Sequence, residues 1–470
     1  MNYTFILLKQ LNHREHLMLT KLLMILLLEG FITISVEILT IRQLIPFYGG
    51  SIVITSVIIG IFLLFLALGY WRGGTYQKNY LRQLSRNFRL SLVWIGLGLS
   101  YTLIAWFFYL TVPYLHLSFI SSLFSYLLIF LAPIVYWLGQ TVPLTTNLFN
   151  QQQSVSRISG RALFLSTIGS FLGALLTSLV LFQYLGVAWT VFINCLLLFG
   201  LMLTTCESEN LSFLKIVILI IVLSFIFMLN IQGENAQFKE TNNYGNYQVI
   251  ESPSFTKTFQ INQSSSSQLT YENKAFPYIE YVRDLVFKDL QFRHKKILVI
   301  GAGGFTFTAA GTFTNEVTYV DIDPALKYLA EKYFLQKNIQ GKFIGEDARQ
   351  FLQKTEERFD VIISDVYSNQ ATIPPALLSI EYFQGIAQHL NPQGLMIANI
   401  IAAPLFGDDY SRTVFNTIHY VFPYCANVPL SWNQPLSNVI YICPNTSKKN
   451  ALYSDDLNTA TTDFFKSRRW

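Results

Sequence analysis

Three aspartates, Asp321, Asp347 and Asp365, each stand at or just past the end of a short apolar run. The runs are Val317 to Val320, the stretch around Phe343 and Ile344, and Phe359 to Ser364. A fourth run, Ile297 to Ile300, ends in Gly301, Gly303 and Gly304 within KILVIGAGGFTFTAA. Runs of this length bounded by turn residues read as buried strands. Asp321 follows Gly301 by twenty positions. Strand, glycine turn, helix, strand and acid form the layout of a Rossmann-type nucleotide site. There the glycines admit the ligand to the backbone, and the acid accepts hydrogen bonds from ribose hydroxyls. All three aspartates would then lie at carboxyl ends of parallel strands, where open α/β sheets bind ligands. Two structural alternatives stay open: the glycines also suit a plain tight turn, and Asp347 also suits the N-cap of a helix from Ala348 to Thr355. Asp365 in the crevice has less structural reason to be there.

The elements that must position these residues divide the chain in two. It has 470 residues, with 13% charged and 15% aromatic, and a mean hydropathy of +0.37. A typical soluble chain carries about 25% charged residues. The apolar excess lies before residue 232. We read an N-terminal segment over 1–19, a helical transmembrane domain over 20–231, and a small β region with a lead-in helix over 232–290. A Rossmann-like α/β domain follows over 291–450, then a basic tail over 451–470. Residues 1–19 lack a small-residue cleavage site, which argues against a removable signal peptide. The net charge of +5 comes from scattered or loop residues. It therefore reads as a topology signal rather than a nucleic-acid patch. Cys195, Cys206, Cys425 and Cys443 have no metal-type spacing, and no metal site is expected. Cys425 and Cys443 would pair only if the fold joins them, so free thiols are the expectation.

Seven segments approach or exceed the ~20 apolar residues needed to cross a bilayer. They run over 20–45, 51–71, 90–112, 117–139, 162–182, 187–205 and 213–231. The first carries Glu29, Glu37 and Arg42, and Glu29, Thr33 and Glu37 share one helix face. Charges at that depth cost roughly 2.5–3.5 kcal/mol each. They call for a cation-binding or helix-locking site, or for Arg42 snorkelling to the interface with Glu37 as its partner. Gly169 and Gly173 form a small-residue packing face. The loop from Arg72 to Arg89 also carries Lys78, Arg82 and Arg86, and the next loop on that side carries Arg157 and Arg161. Neither holds an acid, so both read as cytoplasmic. Seven crossings then put residue 232 onward outside.

The soluble part resembles a spermidine synthase. The stretch EGFITISVEILTIRQLIPFYGGS, followed by a helix ending in ALGYWRGG, is similar to the membrane half of fused transporter-like/spermidine synthase proteins. DVYSNQATIPPALLSIEYF also looks like that subfamily. The resemblance covers nearly the whole chain and places the polyamine aminopropyltransferases as the family. It implies that Gly301, Gly303 and Gly304 line the cofactor, Asp321 holds the ribose, and Asp347 with Ala348 meets the adenine. It makes Asp365 the base for the attacking amine. Tyr278 and Glu280 match a Tyr-x-Glu element beside the amine pocket, Tyr367 the aromatic after the catalytic aspartate, and Gln248 a glutamine near the cofactor tail. Two acidic positions of the family are lost here, to Gly304 and Ser368, and Ile279 replaces a polar residue.

The implied reaction is aminopropyl transfer from decarboxylated S-adenosylmethionine to a polyamine or other small amine, with no metal. The lost carboxylates keep two rivals in view. One is a related S-adenosylmethionine-dependent transfer such as methylation. The other is a non-catalytic nucleoside or polyamine sensor or transport protein. The expected location is the bacterial inner membrane, with the lipid bilayer as partner, no nucleic acid, and an oligomeric state the sequence leaves open. Sulfonium nucleosides belong to the cytosol, so a soluble domain outside would either lose one of the seven crossings or not be a conventional synthase.

Overall fold

The computed structural model describes residues 2–49, 52–149, 154–206, 213–367 and 373–446, with side chains from residue 18 onward except at 213–215. Ser368 and the tail over 451–470 lie outside the described residues. Helix α1, Asn2–Tyr48, runs without a break through the expected N-terminal segment. It is followed by α2 (Ile52–Gly74), α3 (Tyr80–Gly98), α4 (Tyr101–Tyr114), α5 (Phe119–Thr146), α6 (Val155–Tyr184), α7 (Val187–Thr205) and α8 (Ile216–Gln237). Six of these, α1, α2 and α5 to α8, are long and apolar enough to cross a membrane singly. The segment expected over 90–112 is instead two helices, α3 and α4, bent by 65° at a break. Ser100 makes the break locally, because its side chain caps α4 by accepting from Leu103 N at 3.3 Å.

The connectivity is read from which ends meet. Near the soluble domain lie the end of α1, where Arg42 bonds Asn242, and the start of α4, where Gln263 donates to the Tyr101 hydroxyl at 2.6 Å. The end of α6 meets it at Gln183, which accepts from Asn243, and the start of α7 at Val187, whose N–H donates to Thr241. The start of α5 is at this end too, since Tyr48 donates to the Phe119 carbonyl at 2.9 Å. At the opposite end, Asn87 near the start of α3 donates to Gln140 of α5. So α3 passes from the far end to the domain end, α4 stays there, and α5 returns.

The polar groups of α1 have identifiable partners. Glu29 accepts from Thr33 at 2.8 Å and from Ser166 of α6 at 3.3 Å, which ties the two helices. The expected Glu37–Arg42 pair is not formed among the described residues. Arg42 is only 3% exposed and reaches into the soluble domain. Gly169 and Gly173 do serve helix packing: a Cβ there would lie 2.0 Å from the Leu27 carbonyl oxygen and 2.4 Å from that of Phe31.

The small β region is a four-stranded antiparallel meander of β1 (Glu240–Thr241), β2 (Asn246–Glu251), β3 (Lys257–Ile261) and β4 (Ser264–Leu269). Helix α9, Pro277–Asp284, then leads into a seven-stranded sheet. Its strands are β5 (Lys296–Ile300), β6 (Glu316–Asp321), β7 (Lys342–Gly345), β8 (Phe359–Ser364), β9 (Leu390–Ala402), β10 (Ala426–Pro429) and β11 (Ser437–Pro444), in the order β10-β11-β9-β8-β5-β6-β7. Strands β5 to β9 are parallel, and β11 is antiparallel to both β9 and β10. Chain order reverses between β5 and β8, which opens a crevice at their carboxyl ends. Cys425 and Cys443 face each other where β10 enters this sheet and form a disulfide. The expectation of free thiols fails for this pair, because the antiparallel register brings distant positions opposite. Cys195 and Cys206 are free.

The α1–α6 contact gives the first prediction. Gly169→Leu should destabilise the bundle by about 1–3 kcal/mol, the usual cost of overpacking, lowering the thermal midpoint in detergent. Gly160→Leu is the control, since nothing lies within 4 Å of a Cβ there. Equal midpoints for the two variants would remove the packing role.

Candidate active site

A cavity of about 680 Å³ lies in the crevice, walled by the carboxyl ends of the parallel strands and by Ser264 to Ser267 of β4. Asp321, Asp347 and Asp365 all line it, and no lysine, arginine or histidine does among the described residues. Gly301 and Gly303 line it as well. Gly304 lies just behind, where its N–H donates to the Ser267 hydroxyl at 2.8 Å. A Cβ on Gly304 would meet the Phe334 ring at 2.6 Å.

Asp321 ends β6 with both carboxylate oxygens engaged. Oδ2 accepts from Ala302 N in the glycine turn at 2.9 Å, and Oδ1 from Asp323 N at 3.2 Å. Burial pushes its pKa up to about 6, and these N–H bonds only partly oppose the shift. Asp347 caps helix α10, Ala348–Lys354, by accepting from Arg349 N and Gln350 N at 3.0 Å each. It borders the cavity at the same time, so the capping role is compatible with a place in the crevice.

Asp365 leaves β8 between two donors. Tyr278 of α9 donates to Oδ2 at 2.8 Å, and Asn399 of β9 donates to Oδ1 at 2.9 Å. Asn438 of β11 donates in turn to Asn399 at 3.0 Å. Burial raises the pKa of Asp365, against the pull of the Asn399 and Tyr278 bonds. Burial and the neighbouring Asp365 charge hold the Tyr278 hydroxyl well above its ordinary range, so it stays protonated. Tyr367 lines the cavity too, but its hydroxyl is bound to the β9 backbone, donating to Asn399 O and accepting from Ile401 N.

Besides Gly304, two further sequence-predicted residues do not line the cavity. Gln248 stands opposite Gln260 on the meander and does not line the cavity. Its neighbour Tyr247 points inward, donating its hydroxyl to Asp323. Glu280 binds Arg283 and Ala275 N at 2.7 Å each and fixes the start of α9 rather than the cavity. Sequence reading missed Asn399, Asn438, the serine wall and Asp323. Asn399 is a polar residue inside the apolar strand MIANIIA, and that interruption was the available signal.

Residues 275–450 match the spermine/spermidine synthase domain. The chain is 28% identical over 167 residues to an eEF1A lysine and N-terminal methyltransferase homolog of Drosophila melanogaster, covering 33% of this chain and 24% of that protein. It is 29% identical over 138 residues to a polyamine aminopropyltransferase of Sulfurisphaera tokodaii, covering 27% of this chain and 45% of that protein. Polyamine aminopropyltransferase 2 of Aquifex aeolicus is 23% identical over 424 residues, covering 81% of this chain and 80% of its own. The chain thus spans 24% and 45% of the first two relatives' lengths. The α/β part of this protein thus matches the spermine/spermidine synthase domain over residues 275–450, and a region of long apolar helices precedes it.

Proposed function

We propose that the protein is a membrane-bound group transferase that moves an aminopropyl group from decarboxylated S-adenosylmethionine to a small amine. The observation that carries this reading is Asp365, held between Tyr278 and Asn399 in the same cavity as Asp321 and the glycine turn. The residues present suit a cationic nucleoside, because the cavity offers three carboxylates and no basic side chain among the described residues. Asp321 would hold the ribose, Asp347 and Ala348 the adenine, and Gly303 with the serine wall the tail. When bound, the donor supplies a carbon made electrophilic by an adjacent sulfonium and a thioether that leaves without protonation. Asp365 takes the proton that the amine nitrogen sheds as its bond to carbon forms and the carbon–sulfur bond breaks. Its raised pKa makes it a stronger base than an exposed aspartate. Tyr278 stays protonated and orients the carboxylate. The cavity itself aligns the two reactants.

One observation favours a second reading, transfer of a methyl group from S-adenosylmethionine. The wall beside Gly303 consists of Ser264, Ser265, Ser266 and Ser267, hydroxyls that suit a carboxylate tail as well as an ammonium. Offering both donors to the protein and identifying the product separates the two.

We place the protein in a plasma membrane, the inner membrane of a bacterium, which α1, α2, α3 with α4, and α5 to α8 cross seven times. The residues Arg72, Lys78, Arg82, Arg86, Arg89, Arg157 and Arg161 cluster at the connections far from the soluble domain. Basic loops lie on the cytoplasmic side, so the domain faces outward. The Cys425–Cys443 disulfide supports this side, since such bonds persist in oxidising compartments. Donor and acceptor would then have to reach the site from outside or through the bundle. That requirement gives a binding or transport role its weight as a rival. A reporter fused after Trp470 that works only outside the cytoplasm should be active. Activity from a cytoplasm-only reporter would instead remove one crossing and restore an ordinary donor supply.

Two further outcomes test the site. Asp365→Asn should keep affinity for 5′-methylthioadenosine within about twofold and lower turnover about 10²–10⁴-fold, the usual span for a general base. Turnover close to that of the parent would reject the role. The pH dependence follows from Asp321, whose pKa rises from 3.8 to about 6 on folding. Its ionised form should hold the ribose, so affinity measured by calorimetry should fall as pH drops through about 6. Its contribution to stability has the opposite sign. The folded state holds the proton more tightly than the unfolded chain, so this contribution is fullest below the unfolded value and is lost as pH rises through about 6. Asp321→Asn should flatten both dependences.

A further inference from the structure

We propose that Arg42, on the apolar helix α1, is a positioning residue for Asp321, acting from the bundle through a buried hydrogen-bond chain. This inference rests on the nucleoside reading of Asp321. Arg42 Nε donates to the Asn242 carbonyl at 2.6 Å, and Nη2 donates to Asn246 Oδ1 at 2.8 Å. Its third nitrogen, Nη1, has no hydrogen-bond partner among the described residues. Asn242 continues the chain, its side-chain amide donating to Asp323 Oδ2 at 2.8 Å. The Tyr247 hydroxyl donates to that same oxygen. Asp323 Oδ1 accepts from Ala325 N at 2.8 Å, and the Asp323 N–H donates to Asp321. Asp321 ends the chain on Ala302 N in the glycine turn.

Every link before Asp321 is shielded from water: Arg42 is 3% exposed, and Asn242, Asn246, Tyr247 and Asp323 are 2% or less. The Asn242 side chain has one usable orientation. Its Oδ1 accepts from Tyr244 N at 2.8 Å and Gly245 N at 3.1 Å, which leaves Nδ2 for Asp323. Asn242 is thus held from both sides, by Arg42 at its carbonyl and by Asp323 at its amide. No carboxylate stands within ion-pair distance of Arg42 among the described residues, so the guanidinium serves this turn rather than a salt bridge. A guanidinium fork can satisfy two acceptors at fixed angles, which an ammonium or a neutral amide cannot reproduce. Removing it leaves buried acceptors unpaired, a penalty that would shift the turn and with it Asp323.

The test uses the full chain in lipid nanodiscs, with 5′-methylthioadenosine and adenine as calorimetric probes. Arg42→Gln should weaken 5′-methylthioadenosine binding about tenfold or more and leave adenine affinity unchanged, because Asp321 serves the ribose. A docking role without positioning would move both probes or neither, and either pattern overturns the proposal. Asn242→Ala should give a loss similar to Arg42→Gln, and the double variant should be no worse than either single one. Losses that multiply would break the chain. Glu29→Gln, on the same helix but tied to α6, should leave both probes unaffected, and a matching loss there would make the effect a general one of the bundle. If Arg42→Gln fails to accumulate, Arg42→Lys keeps the charge without the fork and should show the same ribose-specific loss, whereas parent-like binding would refute the inference. Failure of the parent itself to bind 5′-methylthioadenosine would reject the nucleoside reading and this inference with it, a result distinct from any difference between variants.

Discussion

Gly301 holds φ at +89°, and a Cβ on it would lie 2.0 Å from the carbonyl oxygen of Asp365. The rest of the site depends on that approach. It requires a residue without a side chain at the end of β5, and it sets the glycine turn directly against the residue that leaves β8. Gly301 N donates to the Val320 carbonyl and Asp365 N to the Ile300 carbonyl, so β6, β5 and β8 are locked together at their carboxyl ends. The candidate base and the glycine turn are therefore neighbours by backbone geometry. Side chains only refine the arrangement: Tyr278 and Asn399 hold the Asp365 carboxylate from opposite oxygens.

The bundle solves a different problem by related means. The interior between apolar helices offers no water, so each buried polar group there needs a partner within the protein. Ser35 of α1 accepts from Thr177 and Asn194 at 2.8 Å each, and Gln43 donates to the Leu99 carbonyl at 2.9 Å. The Leu99 carbonyl belongs to the break between α3 and α4, where helical continuity is lost. Glutamine at this position thus compensates for the bend, and the bend places Tyr101 against Gln263 and Phe238 of the soluble part.

How much of this was legible in the sequence varies with the physical signal. Asp321, Asp347 and Asp365 were readable because parallel strands leave their carboxyl ends at one crevice, and apolar runs mark those ends. Gln248 was misplaced because successive strand residues face opposite ways. The inward position belongs to Tyr247, which stacks on Phe259 at 6.1 Å. The bend after Gly98 was hidden because hydropathy reports apolar length and not direction, although Ser100 supplied a capping signal. Cys425 and Cys443 are eighteen positions apart, and only the β10–β11 register makes them opposite. Asn399 marks the opposite limit. Its role depends on β9 lying beside β8, and strand order cannot be read from one strand.

Arg42 is the place where the two parts constrain each other. Burying a guanidinium is unfavourable unless its donors are satisfied, and its acceptors come from the turn at Asn242 and from Asn246, about two hundred residues further along the chain. In the bundle without the soluble part, this arginine would sit near the apolar layer with no acceptor from that turn. In the soluble part without the bundle, the Asn242 carbonyl and the Asn246 side chain would lose the donor that fixes them. Each part therefore completes the hydrogen bonding of the other, and a mixed seam of this kind favours a fixed mutual orientation over a flexible tether. That orientation places the meander, and the serine wall it carries, over the glycine turn, where Ser267 receives the Gly304 N–H.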